Sequence, residues 1–79
     1  METEFHLVRR ITAEVLGARE DSIRERTRFI EDLGADSFEL FEIMTRIEET
    51  CRVSFDAEAL KKVITVRDAA ALLEEAEHA

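Results

Sequence analysis

The sequence is short and acidic, and its length and charge exclude several classes of protein. Its 79 residues suffice for one small domain with a modest core, so we expect residues 1–79 to form a single domain. With a formal net charge of −8, the chain would be repelled by nucleic acid and by anionic lipid. The charge either serves ordinary solubility or complements basic protein surfaces, and the sequence leaves both open.

The remaining composition points to a helical cytoplasmic protein. No apolar run is long enough to cross a membrane, and the N-terminus lacks the pattern of a signal peptide, so no membrane insertion is expected. Proline is absent and glycine occurs twice, which favours helices joined by short connections. The single cysteine, Cys51, has no second cysteine for a disulfide or a metal cluster, and we interpret it as a small buried hydrophobe.

The first predicted element is an amphipathic helix over residues 3–16. Thr3 is a suitable N-cap, and Gly17 stands where a helix C-terminus favours glycine. His6 is expected at the surface, because no second histidine or cysteine is placed to complete a metal site. Apolar residues at helical spacing form the buried face: Phe5, Leu7, Val8, Ile11, Thr12, Val15 and Leu16.

Residues 18–35 show no sustained period and predict a long loop. Loops of this length are usually functional or held in place by buried side chains, here Ile23, Phe29, Ile30 and Leu33. Residues 21 and 22 can start one short turn. Arg24, Arg26 and Arg28 alternate with other residues; we interpret them as solvated surface, with a small basic contact site as the alternative.

The most strongly patterned helix is predicted from Ser37 to residue 50 or 51. Asp36 is a good N-cap, and Glu39 stands three positions later, as a capping box requires. Ser37 then occupies the first helical position, beside the positive end of the helix dipole and its free backbone N–H groups. An attached phosphate would be favoured there, so this serine is typical of an attachment point.

Two faces are predicted for this helix. The core face collects Leu40, Ile43, Met44, Ile47 and Cys51. Phe38 and Phe41 fall on the flank that carries acidic side chains, close to Ser37. Either they form a docking surface or the loop or the next helix covers them; the sequence leaves both possibilities open and favours Phe38 as the more exposed.

Two short elements complete the chain. Asp56 is expected to cap a brief third helix over residues 57–62, which should be the least stable element because its apolar face is small. Thr65, with Asp68 as its capping-box partner, is expected to start a last helix that reaches residue 76. The fold class is therefore all-α: a small four-helix bundle of three main helices and a short third helix, with a long loop between the first two.

Catalytic and metal sites are not indicated. A calcium-binding loop that starts at Glu31 would place Leu33 at its third position and Asp36 where glycine is needed. Nucleophilic catalysis needs a base near the nucleophile, and the only histidines are His6 and His78, near the ends of the chain. We therefore predict that the chain is not an enzyme and has neither catalytic residues nor metal ligands.

Residues 32–38, Asp-Leu-Gly-Ala-Asp-Ser-Phe, resemble the signature of the acyl carrier proteins, in which Asp-Leu-Gly-Ala-Asp-Ser-Leu surrounds the modified serine. The likeness extends to the order and lengths of the helices, so residues 1–79 are similar to a free-standing acyl carrier domain. It implies that a phosphopantetheinyl transferase attaches 4′-phosphopantetheine to Ser37, with Asp36 supporting. The thiol of this arm would hold acyl groups as thioesters.

The resemblance also implies partners and a pathway. Synthases, transferases and ligases would present basic patches to a monomeric carrier, and a specialised route such as polyketide synthesis is slightly favoured over fatty-acid synthesis. Phe38 in place of leucine is among the departures that favour it.

The bundle interior, with Ile43, Met44, Ile47 and Leu72, would shelter part of an acyl chain. The alternative is an unmodified helical interaction module with the carrier fold. The implied docking residues are Phe38, Glu39, Phe41, Glu42, Glu48 and Glu49.

Overall fold

The computed structural model describes residues 2–78 and confirms an all-α fold with four helices. Within these residues there is no strand, only an isolated bridge between Arg28 and Thr65. None of the helices in this part of the chain has both the length and the hydropathy needed to cross a bilayer. The helices are α1 Glu4–Leu16, α2 Ser37–Cys51, α3 Ala57–Leu60 and α4 Val66–Glu77, and a 3-10 turn, Glu20–Ser22, follows α1.

Helix α1 begins and ends as its sequence predicts. The Thr3 hydroxyl accepts a hydrogen bond from the His6 backbone N–H at 3.2 Å, and Gly17 closes the helix in the left-handed conformation at φ 66°. The helix packs against both α2 and α4, and His6 is exposed. Its buried face is rotated slightly from the expected one, since Ala13 is buried while Phe5 is only half-buried.

The core lies between α1, α2 and α4 and is almost entirely aliphatic. Thr12 is its one buried polar residue among those described, and its hydroxyl has no hydrogen-bond partner there. The largest apolar side chains with no exposed surface are Phe29, Ile43, Ile47, Leu73, Val8 and Val66.

The long loop is held down by three of its four predicted anchors. Ile23 and Phe29 are buried, and Leu33 is half-buried. Ile30 is 50% exposed, so the prediction that it anchors the loop was wrong. The backbone turns tightly after Arg28, whose carbonyl accepts from the N–H groups of residues 32 and 33, and this turn leaves Ile30 on the outside while Phe29 points inward.

The third helix is shorter and less anchored than predicted. Helix α3 is a single turn that ends at Leu60 and contains no buried residue. Asp56 occupies the N-cap position, but its side chain makes no capping hydrogen bond, contrary to expectation. Helix α4, in contrast, has the complete predicted capping box between Thr65 and Asp68.

Candidate functional site

The start of α2 is fixed by the predicted capping box. An Asp36 side-chain oxygen accepts from the Glu39 backbone N–H at 2.7 Å, and a Glu39 side-chain oxygen accepts from the Asp36 backbone N–H at 3.1 Å. The two carboxylates therefore satisfy backbone donors that would otherwise be unpaired at the helix start. Both side chains hold the backbone on either side of Ser37.

Ser37 is the first residue of α2 and is exposed to solvent. Its hydroxyl makes no hydrogen bond to another residue in the described part of the chain, since Asp36 already caps the helix. Because Asp36 already accepts from the Glu39 N–H, the helix dipole and the backbone N–H groups of Ser37 and Phe38 are what remains to favour an anion beside it. The hydroxyl is thus accessible and unengaged, as covalent attachment of a phosphate-linked group requires.

The segment before Ser37 has a defined path. Gly34 has φ 73°, a conformation in which glycine carries no steric cost, and Ala35 is buried. The Ala35 backbone N–H donates to the Phe29 carbonyl at 3.0 Å. Because Phe29 is itself buried, this hydrogen bond ties the approach to Ser37 to the core.

A small pocket of about 170 Å³ opens beside Ser37, between α2 and the end of α3. Of the four residues predicted to shelter an acyl chain, only Met44 lines it. Ile43 and Ile47 are fully buried instead, and Leu72 lines a different groove. The contribution of α3 was not predicted, because nothing local to residues 60 and 61 indicates that they approach Ser37. The pocket is lined by Ser37, Leu40, Phe41, Met44, Leu60 and Lys61.

The two phenylalanines near Ser37 are uncovered. Phe38 is 74% exposed and Phe41 is 62% exposed, in the expected order. The possibility that the loop or the next helix covers them is thereby excluded. Exposed aromatic side chains on an otherwise acidic helix are a common feature of protein-binding surfaces.

The four glutamates predicted to face partners are not equivalent. Glu39 is engaged in the capping box, and Glu42 forms an ion pair with Arg46 at 3.4 Å. Glu48 is half-buried and accepts from the Phe55 backbone N–H at 2.7 Å, so it ties the link after α2 to the helix. Glu49 is exposed and, within residues 2–78, engaged in no ion pair or side-chain hydrogen bond.

The other potentially reactive side chains lie elsewhere. Cys51 is half-buried at the end of α2, and burial raises the pKa of its thiol. Neither His6 nor His78 lines the pocket beside Ser37. In the part of the chain that the structure describes, no three histidine, cysteine, aspartate or glutamate side chains are grouped as metal ligands.

The sequence also matches a known protein family. The sequence model of the family described as "phosphopantetheine attachment site" matches residues 6–73. The match runs from the first turns of α1 into α4 and includes the pocket and the start of α2.

Proposed function

The chain belongs to the phosphopantetheine attachment-site family, and on this premise we propose that Ser37 is the residue that carries 4′-phosphopantetheine. Members of this family are non-catalytic carriers that bear this group covalently on a serine. The prediction of a carrier that is not an enzyme is therefore confirmed, as is the cofactor. The proposal concerns which serine of this chain is modified.

The environments of the three serines support Ser37. The Ser22 hydroxyl donates to the Arg19 carbonyl at 2.7 Å, so it is already engaged in the 3-10 turn. Ser54 is exposed, but it lies in the link between α2 and α3 rather than at the start of a helix. Only Ser37 combines exposure, an unengaged hydroxyl and a helix N-terminus, and this combination is the observation that carries the proposal.

The residues around Ser37 have distinct tasks in this proposal. Asp36 and Glu39 hold the helix start, so the hydroxyl is presented in one position to a phosphopantetheinyl transferase. Transfer forms a phosphodiester on the Ser37 oxygen, releases the nucleotide half of coenzyme A and passes the hydroxyl proton to the transferase. The positive end of the α2 dipole would favour the phosphodiester charge there. Once attached, the arm supplies a thiol that holds acyl groups as thioesters.

The experiment that tests this assignment is intact-mass measurement after co-expression with a broad-specificity phosphopantetheinyl transferase. We expect one added prosthetic group, complete loss of the addition in Ser37→Ala, and normal addition in the matched controls Ser22→Ala and Ser54→Ala. Circular dichroism should show a folded Ser37→Ala variant, because the hydroxyl makes no contact that the fold uses. Modification of Ser37→Ala would refute the assignment. A folded but unmodified parent chain would instead favour the interaction-module alternative.

Carriers of this family work with a phosphopantetheinyl transferase and acyl-processing enzymes. For this chain we propose docking through the flank of α2, with Phe38 and Phe41 as its apolar centre. The carboxylates of Glu39, Glu42, Glu48 and Glu49 would surround that centre. Their intramolecular contacts leave Glu49 the freest to meet a basic partner, and fix Glu39 and Glu48 in place.

The exposed Phe38 supports the proposal of a specialised acyl pathway, such as polyketide synthesis, over general fatty-acid synthesis. A phenylalanine that is 74% exposed beside the attachment site gives a partner a larger apolar surface than leucine does. Phe38→Leu should leave modification by the broad-specificity transferase intact. It should also lower the catalytic efficiency of the cognate loading enzyme by about tenfold, or about 1.4 kcal/mol. Equal rates of the parent chain and Phe38→Leu with every partner enzyme would show that Phe38 has no part in specificity.

A further inference from the structure

A second surface of the molecule is basic, although the chain as a whole is acidic. An open groove of about 540 Å³ lies between the start of α1, the long loop and the start of α4. Four arginines line it: Arg9, Arg24, Arg26 and Arg67. We call it the arginine groove. It shares no lining residue with the pocket beside Ser37.

Three of the four positive charges in the arginine groove have no ion pair within residues 2–78, and only Arg9 has one, with the carboxylate of Glu20. Arg24, Arg26 and Arg67 form no ion pair there. The groove also contains two carboxylates. Arg19 already binds that of Asp21 through two hydrogen bonds, of 2.9 and 3.2 Å. Glu25 is the second carboxylate. Three arginines without an ion pair therefore share the groove with one carboxylate without an ion pair.

The backbone that presents these arginines is held in place. The Arg67 backbone N–H donates to the Glu25 carbonyl at 2.9 Å, and the Arg24 backbone N–H donates to the Thr27 hydroxyl at 2.8 Å. Ile23, directly before Arg24, is buried. A partner would therefore meet charges on a fixed backbone, which lowers the entropic cost of binding.

The fourth arginine of the groove, Arg9, lies beside an apolar side chain. The Arg9 guanidinium lies 5.2 Å from the centre of the half-buried Phe5 ring, and its Nε is 3.8 Å from a Glu20 carboxylate oxygen. At that distance Glu20 makes no hydrogen bond to Nε. The aromatic ring keeps Arg9 at the wall of the groove and offers an apolar contact next to it.

We propose that the arginine groove is a docking site for an acidic segment of a partner protein. Guanidinium groups bind carboxylates through two parallel hydrogen bonds, which suits glutamate or aspartate side chains with an apolar residue between them. The net charge of −8 disfavours nucleic acid, which extends beyond any groove, and equally disfavours a second copy of this chain. An acidic segment that contacts the groove alone experiences mainly the local positive charge.

This docking site is independent of the attachment chemistry at Ser37. It also differs in sign from the acidic flank of α2, so it would recognise a different kind of surface. A partner bound in the arginine groove would leave Ser37, Phe38 and Phe41 free for an enzyme.

The test uses ¹⁵N NMR of the whole chain and a blocked peptide, Glu-Glu-Leu-Glu-Glu, with Lys-Lys-Leu-Lys-Lys as the matched control peptide. The acidic peptide should shift the Nε–H signals of Arg9, Arg24, Arg26 and Arg67, and added salt should weaken its binding. Arg26→Glu should weaken binding by at least about fivefold (roughly 1 kcal/mol). Lys62→Glu, the same charge change at an exposed residue outside the groove, should weaken it less than about twofold (roughly 0.4 kcal/mol).

Each of four results would overturn the proposal. The first is an absence of shifts at the groove arginines, and the second is equal weakening by Arg26→Glu and Lys62→Glu. The third is equally tight binding of inorganic pyrophosphate, which would make the groove a small-anion site. The fourth is self-association of the chain that Arg26→Glu abolishes, which would make the partner a second copy. Ser37→Ala should bind the peptide normally, so failure here is distinguishable from failure of the attachment proposal.

Discussion

The segment that leads into α2 is anchored by buried side chains, whereas the segment that follows α2 carries a one-turn helix with no buried residue. Before α2, Phe29 is buried and its backbone N–H donates to the Ile64 carbonyl at 3.0 Å. After α2, Asp56 provides no side-chain cap, and the clearest tie is the Glu48 carboxylate, which accepts from the Phe55 N–H.

Ser37 therefore lies between two unlike segments. We call residues 18–36, which are anchored by buried side chains, the firm segment, and residues 52–61, which include α3, the loose segment. The firm segment sets the direction in which Ser37 is presented. The loose segment supplies Leu60 and Lys61, which form one wall of the pocket beside Ser37. The direction of the attachment point and one wall of the pocket are therefore set by different segments.

The largest effect is expected from loss of the main loop anchor. Phe29→Ala should lower the free energy of unfolding by about 3–5 kcal/mol, because it removes a fully buried aromatic side chain. Its neighbour provides a matched control: Ile30→Ala should cost no more than about 0.5 kcal/mol, since Ile30 is half exposed. Urea unfolding followed by circular dichroism measures both. Similar costs for the two variants would show that the loop is not anchored at Phe29.

Hydrogen exchange compares the two segments directly. The Leu60 and Lys61 amides form hydrogen bonds within the turn of α3, whereas the Phe29 and Val66 amides form hydrogen bonds between the long loop and the start of α4. The first two should exchange at least about a hundredfold faster than the second two. That ratio corresponds to a difference of about 2.7 kcal/mol in the free energy of local opening. Native-state exchange by NMR gives the rates residue by residue. Equal protection of these four amides from exchange would show that the firm and loose segments do not differ in local stability.

The helix caps provide a smaller contrast. Thr65→Ala should cost about 1 kcal/mol of unfolding free energy, because it removes the acceptor for the Asp68 N–H at the start of α4. Asp56→Ala at the start of α3 should cost less than about half of that, because no capping bond is lost. The same urea experiment measures both variants. A larger cost for Asp56→Ala would mean that its side chain caps α3 in solution.

The smallest expected effect concerns two carboxylates with lowered pKa values. The pKa of Asp32 is lowered mainly by its hydrogen bond from the Arg28 side chain, and that of Asp68 mainly by the hydrogen bond from the Thr65 backbone N–H. A carboxylate whose pKa is lower in the folded state stabilises the fold at pH values above its ordinary pKa of about 4. That stabilisation is lost as the pH falls through the lowered value.

Added salt should affect the pKa values of these two carboxylates differently. The ion pair of Asp32 with Arg28 is exposed, so about 1 M NaCl should move the pKa of Asp32 part of the way back toward its ordinary value. The hydrogen bond from the Arg28 backbone N–H at 2.8 Å supplies the part of the shift that remains. Asp68 accepts from the backbone N–H groups of Ile64 and Thr65 at 3.0 Å, and its pKa should stay low. Carboxyl ¹³C titrations at low and high salt measure both values. A pKa of Asp68 that follows salt as closely as that of Asp32 would contradict this assignment.

Features that depend on a few adjacent residues could be predicted from the sequence. The capping boxes at Asp36 and Thr65, the glycine at the end of α1 and the ends of α2 all follow from local chemistry, and the structure confirms them. The position of Ser37 at a helix start belongs to the same class, because it depends only on Asp36 and Glu39.

Features that depend on tertiary packing could not be predicted in this way. Phe29 and Ile30 are adjacent and similarly apolar, and only the path of the loop decides which is buried. The exposure of Phe41 depends on what covers it, and the approach of Leu60 to Ser37 depends on the link after α2.

The arginine groove shows the same limit. The sequence pattern groups Arg24, Arg26 and Arg28, but Arg28 forms ion pairs with Glu31 and Asp32 at 2.9 and 3.1 Å. Arg9 and Arg67, distant in sequence, complete the groove instead.

The half-buried Cys51 has a practical consequence for chemical labelling. Thiol-directed reagents react with the thiolate, and burial raises the pKa of this thiol, so little Cys51 thiolate is present at neutral pH. An arm on Ser37 would add a second, solvent-exposed thiol to the molecule. A maleimide dye at neutral pH should then label the carrier at the arm in preference to Cys51, and the cysteine need not be mutated first.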